Sequence, residues 1–183
     1  RTRATMAFDF QPTLIGSLLT LRPLRREDQV GLRTAAADPM VWAGHPAKTR
    51  YLAEAFDPYF EVLLAGGGTL VVTETATGRI IGCSRYYVAP DMPDAVSIGF
   101  TFLTCDHWGG ETNRALKRLM VGHVFDAGKE VWFHIAPSNI RSQKATAKLG
   151  ARHAYDSWID LGSGAADWMC FHLTEQDWQA AGH

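Results

Sequence analysis

The spacing of apolar side chains shifts repeatedly along this chain, and each shift predicts an element. Leu18 to Leu24 reads as a first strand, and Arg25 and Arg26 lead into a helix from about Glu27 to Ala37. Between Ala47 and Ala65, Leu52, Ala55, Phe56, Tyr59, Phe60, Leu63 and Leu64 recur at helical spacing, with Pro58 predicting a break or two helices. Gly66, Gly67 and Gly68 end that element, and Thr69–Glu74 and Ile80–Val88 follow as strands around a Thr77-Gly78 turn. A turn rich in Pro and Asp precedes a strand over Ala95–Thr104. A helix over Asn113–Ala127 then places Leu116, Leu119, Met120, His123 and Val124 on one face. Glu130–Ala136 is a strand and Asn139–Leu149 a helix closed by Gly150, while Ala151–Leu161 and Ala166–Leu173 form a hairpin around Gly162, Ser163 and Gly164. The C-terminal segment around Trp178 reads as a last helix. This order predicts an α/β (α+β) fold: a mixed, mostly antiparallel twisted sheet with helices on both faces.

Length and composition narrow the reading. The 183 residues, with no repeat or linker among them, predict a single domain over residues 1–183. Residues 1–12 are expected to include a tag remnant or flexible tail, since Arg1 to Thr5 precede Met6. A net charge of -1 argues against a nucleic-acid binder. No apolar run is long enough to span a bilayer, so no membrane partner is expected. The cysteines Cys83, Cys105 and Cys170 are scattered, in neither disulfide nor metal spacing, which predicts no metal and a reducing, cytoplasmic setting. His107, His123 and His134 likewise have no zinc-ligand spacing and read first as structural histidines.

The stretch Ile98 to Lys117 carries the most chemistry. A strand, a loop with adjacent Gly109 and Gly110, and a helix start together aim free backbone N–H groups and a positive dipole end at one point, an anion site. Arg114 and Lys117 follow at once, where the dipole disfavours cations by ~0.3–1 kcal/mol each, and a docked polyanion would reverse that penalty. The plainer alternative is a turn followed by a solvated face.

In order along the chain, Leu21-Arg-Pro-Leu24 with Glu27-Asp28, Ile81-Gly82-Cys-Ser-Arg85-Tyr86, Trp108-Gly109-Gly110 with Asn113 and Lys117, and Asn139-Ile-Arg-Ser142 with Lys148-Leu-Gly150 resemble landmarks of the GNAT superfamily of N-acetyltransferases. Within it they resemble the branch that includes ribosomal-protein N-terminal acetyltransferases. The resemblance implies two neighbouring parallel strands, Ala95–Thr104 and Glu130–Ala136, that splay apart into an acyl-CoA cleft. The cofactor would be acetyl-CoA, with its pantetheine arm against Phe102, Leu103 and Thr104. Its pyrophosphate would lie over Trp108, Gly109, Gly110, Thr112, Asn113, Arg114 and Lys117, with Asn139 and Ser142 on the second cofactor-side helix. Asn139 and Ser142 also suit a helix N-cap and an ordinary first turn.

Three positions depart from the family pattern. Glu111 stands where glycine is common, a repulsion of only ~0.6 kcal/mol across about 7 Å of water. Ser97 stands where relatives often carry a basic glutamate, and Thr146 where many carry a tyrosine that protonates the thiolate. The expected reaction is acetyl transfer to a primary amine, a protein N-terminus or a small molecule, by direct attack in a ternary complex. Ser142 is the candidate for the sulfur, with backbone N–H groups at Leu103 or Thr104 for the carbonyl. His134, Asp94 or a water chain would be the base, while Cys105 lacks a partner to activate it as a nucleophile. Trp42, His45, Arg85 and Tyr86 are expected in the acceptor pocket, with plain core as the alternative for the aromatics. A non-catalytic acyl-CoA-binding module is the rival reading, and a homodimer is an open expectation.

Overall fold

The computed structural model describes residues 7–183, and residues 1–6 lie outside the described residues. The first half contains β1 (Leu14–Ile15), β2 (Leu19–Pro23), α1 (Gln29–Ala36), α2 (Pro39–Trp42), α3 (Ala53–Ala65), β3 (Thr69–Glu74) and β4 (Ile80–Tyr87). The second half contains β5 (Val96–Leu103), α4 (Thr112–Asp126), β6 (Val131–Ile135), α5 (Ile140–Lys148), β7 (Arg152–Asp160), β8 (Ala165–Leu173) and α6 (Glu175–Ala180). The strands form one eight-stranded sheet in the order β1-β2-β3-β4-β5-β6-β8-β7. Among the described residues only β5 and β6 run parallel, as expected of a mixed, mostly antiparallel sheet. Among the described residues no helix is long and apolar enough to cross a membrane.

The sheet buries a core on each face. Towards α4, the helix contributes Leu116, Met120, Val121, Val124 and Phe125 to a cluster with Leu21, Ile98, Leu103, Val131, Phe133 and Trp178. Towards α1 and α3, Leu32, Phe56, Phe60 and Leu63 pack on Val71, Cys83 and Phe102. Side-chain alternation along each strand therefore sorts residues between two environments.

Three expectations change. Residues 7–12 are not a loose tail, because Phe8 packs edge-on against Phe10 and Tyr86 and Pro12 is buried. Pro58 lies inside an unbroken α3, its ring on the exposed side where the helix carbonyl it strands can face water. The helical stretch instead begins late, since residues before Ala53 form turns. The short strand β1 and the single turn α2, started by Pro39 behind an Asp38 cap, went unanticipated because neither is long enough to show a period.

One polar contact ties the early strand to the first helix. The Asp28 carboxylate, 6% exposed, accepts both Arg22 guanidinium nitrogens at 2.8 Å and the Arg25 N–H at 2.9 Å. Burial pushes the Asp28 pKa up, but Arg22 and the Arg25 amide together hold it below the usual carboxylate range. A carboxylate held low contributes its stability above the unfolded pKa and loses it as the pH falls through the folded one. Asp28→Asn should therefore cost about 3 kcal/mol at neutral pH in chemical denaturation. That difference from wild type should shrink once the pH falls below about 4.

Candidate active site

The parallel pair that the sequence places at the centre is barely a pair. β5 and β6 are matched only at Val96–Val131 and Ser97–Trp132, and from Ile98 and Phe133 onward they diverge. On its other side, β5 stays joined to β4 through a bulge. The register passes from Cys83–Phe102 to Arg85–Gly99, so Ser84 faces two residues, Phe100 and Thr101. Phe100 takes a φ of 53°, left-handed backbone that costs a bulky residue of order 1–3 kcal/mol. The bulge bends β5 away from β6 and opens the cleft.

The strand's hydrogen bonds show which backbone groups face that cleft. Thr104 N–H donates to the Ile81 carbonyl at 2.8 Å, so it is engaged with β4 and cannot serve a ligand as expected. Alternation then turns the N–H and C=O of Leu103 away from β4 and towards the divergence. The Leu103 carbonyl accepts the Trp108 indole N–H at 3.0 Å, and the Arg141 guanidinium lies 3.8 Å from the centre of that indole ring. This places Trp108 across the mouth of the cleft, with α5 reaching over it.

The start of α4 has the open geometry expected of an anion site. Gly109 has a φ of 71°, and a Cβ at Gly109 or Gly110 would meet no atom within 4 Å. No side chain caps the helix at Glu111, so the amides of Thr112, Asn113 and Arg114 remain unsatisfied by a cap. The preceding loop is held by an ion network: Arg79 reaches Glu74 at 3.0 Å and Asp106 at 2.6 Å, while His107 links Glu74 to the Thr112 hydroxyl. The Arg79 hydrogen bond is the main cause holding the Glu74 carboxyl at about 2. Glu111 is exposed and lines a groove of about 300 Å³ with Gly16, Leu19, Arg114 and Arg118. Arg114 and Lys117 therefore part company. Lys117 is buried on the α4 side of the sheet, its ammonium 5.6 Å from the Phe133 ring centre. Burial lowers it to about 8.

The opposite face of the sheet gathers a second group. His134 Nδ1 and the Tyr87 hydroxyl lie 2.8 Å apart, while His134 Nε2 is buried with no partner among the described residues. Burial lowers the His134 pKa, so its ring is neutral at pH 7 despite the pull of Asp91 the other way. Phe100 stacks with Tyr59 at 6.4 Å and meets Tyr87 edge-on at 5.3 Å. The turn of the β7–β8 hairpin at Gly162 comes close to Val62 of α3 and roofs this side.

Of the expected acceptor residues, Arg85 lies here, with its guanidinium 4.8 Å from the Phe100 ring centre. Trp42 forms the wall behind, 2% exposed and bonded to the Ala36 carbonyl. His45 packs on Trp42, its pKa lowered to about 4 by burial and Arg50. Tyr86 does not belong here: it points to the α4 face, where its hydroxyl donates to the Met120 carbonyl at 2.6 Å. Its neighbour Tyr87 lies on the same face as Arg85, and so does Arg50, 3.6 Å from the centre of the Tyr59 ring. The period-two alternation of β4 distinguishes the two tyrosines in principle, but the extra residue at Ile81 puts the start of that alternation out of step.

The remaining expected residues are dispersed. Asn139 caps α5 through the Ser142 N–H at 3.3 Å, while the Ser142 hydroxyl is half-buried without a bond among the described residues. Asp94 precedes β5 at the end remote from the divergence, and burial, with Asp38, raises the Cys105 thiol. Ser97 is fully buried with its hydroxyl unpartnered, and Thr146 is also buried.

Residues 19–152 match the family model of the acetyltransferase (GNAT) domain. The fold superposes on a GNAT-family protein from Chromobacterium violaceum ATCC 12472 with a TM-score of 0.79 at 16% identity, covering 97% of this chain and 93% of that one. A GCN5-related N-acetyltransferase from Brucella melitensis gives 0.73 at 16% identity, with 93% and 82% covered. RimJ of Mycobacterium smegmatis, solved with CoA-disulfide, gives 0.63 at 17% identity, with 91% and 88% covered. No curated protein sequence matches the chain.

The buried lysine has a measurable signature. A lysine held low in the folded state binds fewer protons than the unfolded chain between pH about 8 and about 10.4, so stability should rise with pH there. Lys117→Met should remove that alkaline rise and, at neutral pH, stabilise the fold by roughly 1–3 kcal/mol in urea unfolding.

Proposed function

Because the chain belongs to the GNAT acetyltransferase family, we propose that it moves an acetyl group from acetyl-CoA to a primary amine at the divergence of β5 and β6. The observation that carries this reading is the two-residue parallel pairing, which leaves the Leu103 N–H facing the space where β5 and β6 part, between an uncapped helix start and a neutral histidine. Those groups fit the cofactor. Unsatisfied amides of Thr112, Asn113 and Arg114, with room at Gly109 and Gly110, suit a pyrophosphate, and Lys117 adds a cation from within. Asn139 and Ser142 on α5 and Phe102 to Thr104 on β5 complete the proposed lining.

Bound acetyl-CoA supplies an acyl carbon activated as a thioester and a thiolate leaving group. The residues of the chain supply the rest. His134 keeps its Nε2 lone pair when Nδ1–H donates to the Tyr87 oxygen, and that lone pair takes the proton from the attacking amine. The Leu103 N–H is oriented to stabilise the carbonyl oxygen as charge develops on it, and the Ser142 hydroxyl hydrogen-bonds the departing sulfur. No covalent enzyme intermediate is needed, in keeping with a Cys105 thiol raised rather than activated. The base has thus moved from β5, where Ser97 is inert and buried, to β6 beside it. The landmarks shared with ribosomal-protein N-terminal acetyltransferases support an N-acetyltransferase rather than another acyltransferase.

Calorimetry with acetyl-CoA separates this from a fold kept without its cofactor. Wild type should bind and Gly110→Trp should not, whereas absence of binding by both would remove the transferase reading. Binding without turnover across a broad amine panel would support an acyl-CoA sensor instead. His134→Gln should lower kcat by about 10²–10⁴-fold and abolish the fall of kcat on the acid side of pH 6.5. An unchanged pH profile would clear His134 of the role. Unchanged turnover of Ser142→Ala at saturating acetyl-CoA would do the same for Ser142.

A further inference from the structure

Among the described residues, five arginines of this protein are paired with carboxylates and two on the α3 face are not. Arg22, Arg26, Arg33, Arg79 and Arg152 each meet a carboxylate. Arg50 and Arg85 do not: among the described residues neither has a carboxylate within 4.0 Å, yet both are half-buried on the α3 face. Removing a cation from water without a counter-charge is unfavourable unless something else compensates.

What surrounds them is aromatic and ordered. The Arg50 guanidinium lies on the Tyr59 ring, Tyr59 stacks on Phe100, and the Arg85 guanidinium lies 4.8 Å from the Phe100 ring centre. Arg85 also reaches over the Tyr87 ring at 5.9 Å, and its Nε donates to the Gly67 carbonyl at 3.3 Å. The ring faces, the Gly67 carbonyl and the Gly66 backbone packed against Nη2 hold the guanidinium in place without a carboxylate, leaving its remaining N–H groups for a planar oxyanion. The Tyr59 hydroxyl feels both cations.

The other end of the same cleft has the opposite character. Tyr87, whose ring lies under Arg85, carries His134 on its hydroxyl, and the carboxylate of Asp91 bears on both Tyr87 and His134. Asp91 is fixed there by the Tyr155 and Ser157 hydroxyls at 3.2 and 3.0 Å. One tyrosine ring thus separates a basic, negatively biased end from an unneutralised cationic end. That polarity matches a molecule with an amine at one end and an anion at the other, and it disfavours a polycationic acceptor.

We propose that the acceptor is a small amine carrying its own oxyanion, a carboxylate or a phosphate, with Arg85 and Arg50 holding the oxyanion while the amine faces His134. This rests on the transferase reading above and names the substrate class of that site.

The test uses full-length protein that has first been shown to bind acetyl-CoA, so a failure of the transferase reading is registered before any acceptor is tried. Matched pairs of amines are then compared by kcat/KM: free amino acids and dipeptides against their C-terminal amides, and phosphoethanolamine against ethanolamine. The anionic member of at least one pair should be preferred by tenfold or more, and which pair responds separates carboxylate from phosphate. Arg85→Gln should raise KM for that anionic member and bring the ratio to about one, while Arg85→Lys should retain part of the preference. Arg50→Gln, in a turn outside the sheet, gives the same reading if the strand variant does not fold. Acetyl-CoA affinity should stay unchanged in all of them. Equal rates within every pair, preference for the neutral members, or no acetylation of any pair by acetyl-CoA-binding protein would each overturn the proposal.

Discussion

Everything in the central cleft depends on β5 being able to pair fully with β4 while barely pairing with β6. A parallel ladder that continued past Ser97 and Trp132 would consume the Leu103 N–H and C=O and close the space between the strands. The left-handed residue Phe100 prevents this. Its strain is offset by packing that a regular strand could not offer: the ring is delivered to Tyr59, Tyr87 and Arg85 on one face, and its carbonyl accepts the Cys83 thiol at 3.4 Å. One backbone irregularity therefore both opens the divergence and builds the aromatic wall beside it.

The two faces of the sheet divide the proposed work. From the α4 side come the helix start, the buried Lys117 and the loop held by Glu74, Arg79, Asp106 and His107. From the α1 and α3 side come Tyr87, His134 and the two unneutralised arginines. The proposed transfer happens where the strands between them part, so cofactor and acceptor approach from opposite sides. Such an arrangement accounts for direct attack without a shuttle residue, and for Trp108 lying over the opening between β5 and α5.

How much of this was legible in the chain follows from what periodicity can encode. Long elements with a regular apolar stripe, such as α4 and the β7–β8 hairpin, were readable to within a residue or two, and so was the sheet class. The glycine loop ahead of α4 was also visible as a strand–loop–helix turn, because adjacent glycines interrupt the apolar pattern there. The acceptor side was not. The bulge in β4 at Ile81 puts the apolar alternation out of step ahead of Tyr86 and Tyr87, Arg50 sits in a turn with no pattern, and Pro58 signals a break that its exposed position makes unnecessary. His134 was visible as a residue but not as a pair with Tyr87, 47 positions earlier in the chain, since such contacts arise only from the register of β4, β5 and β6.

The most direct test of the central claim is a crystal structure of the protein soaked with coenzyme A. The account predicts the pantetheine arm in the gap between β5 and β6 against the Leu103 backbone, with the pyrophosphate over Gly109 to Asn113 and the sulfur on the side of His134. Coenzyme A bound elsewhere, for instance along the groove between Gly16 and Arg118, with the β5–β6 gap empty, would contradict it.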